Sequence, residues 1–326
     1  MEEDYKKFVQ TINQFKDHPL MIGWYINDET PECFNEHLRN RTLTIHELDP
    51  DHPTISVENK GKRSPSFINT TDVYGVDCYP IGYNNYSENV NCYYRHSEAY
   101  NDILKTKPMW SVPQIFDWAA ITKHGFEVRP PTLQEMKCMT WQALVVGAKG
   151  LIFYSIIEIL YFNETTPFES RWKDVIEFTD QIWEYKDIIL SIEKVHQIEY
   201  TENNNIAFRQ WKYNDYYYIV IVNLGRNKEI LEMDLLKRYK VIKEFGFGTF
   251  KQHKNNITFY IEPIDVLMVK YNFEHSTNSN LVIIFVLIFI IILSIIIIYI
   301  IKRYYKKKAA TKKFIDKLEP IMDKNM

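Results

Sequence analysis

Two adjacent carboxylates, Asp28 and Glu29, end the short apolar run HPLMIGWYINDE at residues 18–29. An apolar strand that delivers acids at its C-terminal end is how a (β/α) barrel presents reactive groups, because its last residues project into the mouth while the earlier ones are buried. Three further stretches repeat the pattern: DVYGVDCYP (72–80) carries Asp77, PMWSVPQIFDW (108–118) carries Gln114 and Asp117, and GLIFYS (150–155) leads to Glu158. Paired carboxyl groups, one held protonated and one ionised, are the equipment of general acid–base chemistry. Each acid also has a structural reading. Asp28 and Glu29 suit the N-terminus of a helix starting near Pro31, Asp77 suits a loop anchor, and Asp117 and Glu158 suit solvated loops.

The elements that must position these groups alternate. Tyr5, Phe8, Val9, Ile12 and Phe15 recur at helical spacing over 2–17 and lead into a strand over 20–26. A helix over 31–47, a strand over 53–57, the strand at 72–80, a helix over 95–106, the strand at 109–116, a helix opened by Pro131 and Thr132 with Glu135 in its first turn, the strand at 150–155 and a long helix to Ile189 complete the series. Alternation of this kind predicts parallel pairing through crossover helices. From about residue 195 the pattern changes to short strands, at 206–211, 216–224, 228–235, 239–245, 255–261 and 265–272, which predict a small antiparallel β-sandwich. The expected organisation is a partial barrel over 1–194, a β-sandwich over 195–274, a stalk over 275–280, a transmembrane helix over 281–301 and a basic tail over 302–326.

Composition narrows the function classes. With 326 residues the chain has room for about two domains, and its net charge of -3 gives no case for nucleic acid. Aromatics reach 15%, with 23 Tyr and 7 Trp, part of it attributable to an AT-rich coding bias. Leu281 to Ile301 contains no charged residue and is long enough to span a bilayer. Lys302, Arg303, Lys306, Lys307, Lys308, Lys312 and Lys313 follow it, so the positive-inside rule predicts a cytosolic C-terminus and luminal or extracellular N-terminal domains. Sequons at Asn40, Asn69, Asn85, Asn163 and Asn256 all lie on the predicted luminal side. Of the four cysteines, Cys33, Cys78, Cys92 and Cys138, the spacing of Cys78 and Cys92 permits a disulfide, and four free thiols are the alternative. No spacing points to a metal site or a cofactor. The segment MEEDYKK has no apolar signal region, so this topology calls for a signal upstream of it, or the orientation is reversed.

Taken in order, HPLMIGWYINDE, DVYGVDCYP, PMWSVPQIFDW and RPPTLQEMKCMTWQALVVGAKGLIFYS resemble the fourth, sixth, seventh and eighth strand regions of TIM-barrel glycoside hydrolases of the large retaining clan, nearest its β-galactosidase-like and uncharacterised bacterial members. The resemblance covers roughly residues 5–190. It implies an α/β fold: a partial (β/α) TIM-type barrel of strands four to eight, followed by the β-sandwich and one transmembrane helix. Glu29 matches the general acid/base, and Asp28 stands where the clan often has Asn. Gln114 occupies the position of the nucleophilic Glu and cannot attack a sugar carbon, so Asp77, Asp117 or Glu158 are the substitutes. Trp24, Tyr25, Tyr79, Trp110, Trp118 and Tyr154 then suit a sugar-stacking wall, although strand alternation turns only about half of such side chains inward.

The expected function is membrane-anchored glycosidic hydrolysis by carboxylate chemistry, with a carbohydrate as partner. A non-catalytic glycan-binding or adhesion protein is the alternative that Gln114 favours. Five strands leave a barrel open, so either a missing N-terminal half or a partner chain is expected to complete it.

Overall fold

The computed structural model describes residues 2–59, 67, 69–82, 94–98, 105, 107–121, 129–161, 167–235, 239–273 and 279–322. The chain divides into two compact units, residues 1–273 and 274–326.

In the first unit, five strands pair in parallel in the order β1-β2-β3-β4-β5: Trp24–Asp28, Thr54–Glu58, Val73–Cys78, Met109–Pro113 and Gly150–Leu151. A single bridge between Gln114 and Tyr154 prolongs the last pair. β1 begins four residues later than its hydrophobicity suggests. Its partner starts at Thr54, opposite Trp24, and Pro53 before it has no N–H to offer. Leu20 and Ile22 therefore stay outside the sheet, 81% and 68% exposed. Helix α1 (Glu2–Phe15) and helix α2 (Asn35–Leu48) cover β1 on one side, with Ile12, Ile26 and Ile45 buried together.

The next helix, α3 (Leu133–Val146), starts from a complete capping box between Thr132 and Glu135. It is apolar nearly all round, and its packing explains why. Cys138, Met139, Trp141 and Leu144 lie in one core with Tyr74 and Val76 of β3 and with Val220, Val222 and Met268 of the following sheet. A helix wedged between two sheets has no solvent face to make polar. Helices α4 (Ile156–Tyr161), α5 (Phe168–Glu184) and α6 (Lys186–Ile189) follow β5.

Beyond them come two antiparallel four-stranded sheets. One has the order β10-β13-β8-β7 and the other β11-β12-β9-β6, with β6 Glu199–Tyr200, β7 Ile206–Tyr213, β8 Tyr216–Asn223, β9 Glu229–Asp234, β10 Tyr239–Phe245, β11 Thr249–His253, β12 Asn256–Ile261 and β13 Val266–Phe273. Ile219 and Ile221 of β8 point into the core between the sheets, while Val220 and Val222 point at α3. Burial on both faces accounts for the unbroken apolar run. β6 and β11 were not foreseen: TFKQH is a polar, mostly exposed edge strand with no alternation to detect.

In the second unit, residues 279–322 form one helix, α7. It contains one stretch long and apolar enough to cross a membrane, Leu287–Ala309. Cys78 is disulfide-bonded, and Cys33 and Cys138 are free. Cys92, Asn85 and Asn163 lie outside the described residues, while Asn40, Asn69 and Asn256 are exposed.

Candidate active site

The site begins with an irregularity in β1. The register slips between Tyr25 and Asn27, and a bulge of this kind re-aims side chains next to it. Trp24 and Ile26 face α1 and α2, and Asn27 stays on that side, giving its amide to Ser56 Oγ at 2.7 Å and Glu58 Oε1 at 2.9 Å. Tyr25 and Asp28, three residues apart, come together instead: the phenol donates to Asp28 Oδ1 at 3.0 Å. Glu29 follows with φ 53°, a left-handed conformation that is costly for a residue with a Cβ. Strain of this kind concentrates at functional sites. The Glu29 amide is still tied to the sheet through Val57 O at 2.9 Å.

Asp77 comes from β3. Tyr74, Val76 and Cys78 face the α3 core, so Asp77 shares the opposite face with Gly75. Gly75 is needed there, because a Cβ would lie 2.4 Å from Val57 Cγ2. Asp77 is 2% exposed and meets the Glu29 carboxyl in a side-chain hydrogen bond. Burial, then the charge of Glu29 and that bond, push the Asp77 carboxyl up to about 8, against a smaller opposing effect of the Tyr79 hydroxyl. At neutral pH the pair therefore holds one proton. Partial burial, then the charge of Asp28, carries the Tyr25 phenol well above its usual range. His96 buttresses the site from behind, its ring bonded to the Asp77 backbone carbonyl and its basicity lowered chiefly by burial.

An aromatic wall stands beside the dyad. Tyr79 and Tyr154 stack at 5.5 Å and 24°; Phe116 meets both edge-on at 5.2 and 5.5 Å, and Trp118 meets Tyr79 at 6.3 Å and Phe116 at 5.1 Å. Trp118 Nε1 donates to Tyr79 O at 3.2 Å. Tyr154 reaches Glu158 Oε1 at 3.3 Å and also feels the charge of Asp28. β1 and β5 lie at opposite edges of the sheet, about 19 Å apart were it flat, so this coupling fits a sheet curled like a barrel wall.

The structure thus gathers Asp28, Glu29, Asp77, Tyr79, Trp118, Tyr154 and Glu158 at one mouth, and adds Tyr25 and His96. Four expected residues are placed elsewhere or otherwise engaged. Trp24 packs against the helices and donates to Asp49 Oδ2 at 2.8 Å, because the sheet face it occupies is the outer one. Gln114 is fully buried and spent on backbone: Oε1 accepts from Ile81 N at 2.9 Å, and Nε2 donates to Ile81 O at 2.8 Å and to Phe116 O at 3.1 Å. Asp117 caps the short 3-10 turn after it by accepting from Ala119 N at 3.0 Å. Trp110 lies over Gly150, where a Cβ would come within 2.6 Å of its ring. Among the described residues no group of three His, Cys, Asp or Glu side chains could hold a metal ion.

No protein-family model and no curated protein matches the chain. Solved structures do match. A glycoside hydrolase family 5 protein from Bacteroides vulgatus is 12% identical, with a TM-score of 0.54 over 83% of this chain and 66% of that one. Amy13B of Eubacterium rectale is 10% identical, with a TM-score of 0.51 over 83% and 63%. The AmyP protein in complex with maltotriose is 7% identical, with a TM-score of 0.52 over 81% and 67%. At such identities the likeness concerns the fold alone: a parallel sheet like part of a TIM barrel, followed by antiparallel sheets. The chain spans about two-thirds of the length of these structures.

Proposed function

We propose that this chain forms the acid-bearing wall of a glycoside hydrolase, with Glu29 as proton donor and Asp77 as the group that keeps the proton there. The observation that carries this reading is the hydrogen bond between the buried Asp77 carboxyl and the exposed Glu29 carboxyl beside an aromatic wall. Glycosidic cleavage needs a proton still available near neutral pH, and Asp77, which holds its own up to about 8 and is hydrogen-bonded to Glu29, keeps one beside the donor. Carboxyls in direct contact are closer than the roughly 5 Å that separates an acid from a nucleophile in retaining enzymes, so Asp77 is not the second catalytic carboxylate. Asp28 fills that role best, facing the same mouth and oriented by Tyr25. A sugar ring stacks on the outer face of Tyr154, the exposed member of the Tyr79–Tyr154 stack. The test is turnover of aryl glycosides by the full chain: Glu29→Gln should abolish it while leaving the fold intact, and undiminished turnover contradicts the assignment.

One observation favours a second reading, a glycan-binding surface protein without turnover. The amide of Gln114 is consumed by Ile81, and the described part of β4 brings no carboxylate to the mouth. Saccharide binding that survives Glu29→Gln, with no hydrolysis by the wild type, would select it.

In either case the outer edges of β1 and β5, unpaired among the described residues, need cover, since parallel strands are ordinarily buried. α1 lies where the crossover helix of a right-handed βαβ unit lies, and such a unit would put a strand against β1. Three more β/α units, from the same polypeptide or a partner, close an eight-stranded barrel. Native mass spectrometry of the membrane-extracted protein tests this, and an active monomer of the lone 326-residue chain would rule it out.

Anchoring belongs to the same proposal: the apolar part of α7 crosses a membrane, the basic segment after it stays cytosolic, and residues 1–280 are luminal or extracellular. The exposed sequons Asn40, Asn69 and Asn256 and the disulfide at Cys78 fit an oxidising compartment. Glycosidase-sensitive mobility of the cellular protein is expected; a mobility unchanged by deglycosylation argues against this orientation.

A further inference from the structure

Four carboxyl groups border the mouth. Glu29 and Asp77 meet directly, Asp28 accepts from Tyr25 and Glu158 from Tyr154. Among the described residues, the strongest charges acting on Tyr25, Asp77 and Tyr154 are all carboxylates. Among the described residues, and even with one proton in the dyad, the mouth holds a surplus of negative charge beside an aromatic wall.

A second feature sharpens this. Asp77 is 2% exposed, and its Oδ1 accepts from no donor among the described residues. A buried acceptor left without a donor is costly, and a ligand that brings a donor removes the cost. Tyr154, backed by Tyr79 in the stack and 38% exposed, offers its outer ring face for the C–H face of a pyranose alongside it.

We propose that the sugar seated in this mouth is a free hexosamine unit, whose protonated amine meets Asp77 Oδ1 and is neutralised by Asp28 and Glu158. The proposal rests on the reading of the mouth as a glycoside site. An ammonium group brings up to three donors and the missing positive charge in one substituent. N-acetylation removes that charge, a neutral hexose lacks it, and a uronate would bring like charge into an acidic mouth.

The test is competition binding, by saturation-transfer NMR, of methyl glycosides to the full chain in detergent at pH 6. The probes are the glucosamine and galactosamine glycosides, their N-acetylated forms, and the glucose and galactose parents. At least one amine should bind tenfold or more tightly than both its acetylated form and its parent. That advantage should shrink in 0.5 M salt and in the Asp28→Asn, Glu158→Gln double variant. Parent or acetylated glycosides that bind as well as the amines overturn the proposal and leave the glycoside site standing. If none of the six binds, the proposal falls, and Glu29-dependent aryl-glycoside turnover then decides the broader reading separately.

Discussion

Asp77, buried at the end of β3, hydrogen-bonds Glu29, which stands in a left-handed conformation just past β1. The contact joins strands that are not neighbours, since β2 lies between them. It also gives Asp77 a titration unlike that of a surface acid.

Stability should record this. Folding raises the Asp77 carboxyl from its ordinary 3.8 to about 8, so the folded state keeps a proton that the unfolded chain loses. The contribution is complete below the unfolded value and is lost as pH rises toward the folded one, at up to about 1.4 kcal/mol per pH unit. Urea melts of wild type should weaken from pH 5 to pH 8, and Asp77→Asn should flatten that slope. A wild-type midpoint that rises over the same interval would contradict the assignment.

Glu135 should behave in the opposite sense. It is 1% exposed and accepts from Arg129 at 2.7 Å through both oxygens, from Arg226 at 2.9 Å and from the Thr132 amide at 2.9 Å. Burial raises its carboxyl, but these partners outweigh burial and lower it to about 2. Its stabilisation is present above the unfolded value of 4.5 and is lost as pH falls through about 2. Since Arg226 lies in the turn between β8 and β9, the network fastens α3 to the sandwich. Glu135→Ala should cost about 3–5 kcal/mol, read from urea melts at pH 7, and a loss below 1 kcal/mol would show the network to be incidental.

Gln114→Glu should not create a nucleophile. The substitution removes the donor that Ile81 O and Phe116 O share and buries a charge, at a cost of about 3 kcal/mol or more. A lowered melting temperature without new hydrolysis is expected. A stable variant with increased turnover would restore the position as catalytic.

Much of this architecture is legible in the chain because periodicity and turn chemistry agree. The five parallel strands stand out as short apolar runs such as VYGVDC, most of them separated by helical patterns, and Thr132 with Glu135 marks the start of α3. The mouth is legible only in part. An acid at a strand exit can be read from sequence, but the bulge at Ile26 cannot, and it decides that Tyr25 joins Asp28 while Trp24 turns away. Gln114 reads as a substituted nucleophile until its three backbone bonds are seen. His96 gives no signal, being one of nine histidines with no motif around it. Its role depends on a tertiary contact with the carbonyl of Asp77.

The most direct test needs no substrate. Carbon-13 NMR titration of the Asp77 carboxyl, in the full chain and in Glu29→Gln, follows the shared proton itself. The account predicts a wild-type midpoint near 8 that moves down when the Glu29 charge is removed. A midpoint in the ordinary carboxylate range, or one that Glu29→Gln leaves unmoved, would contradict it.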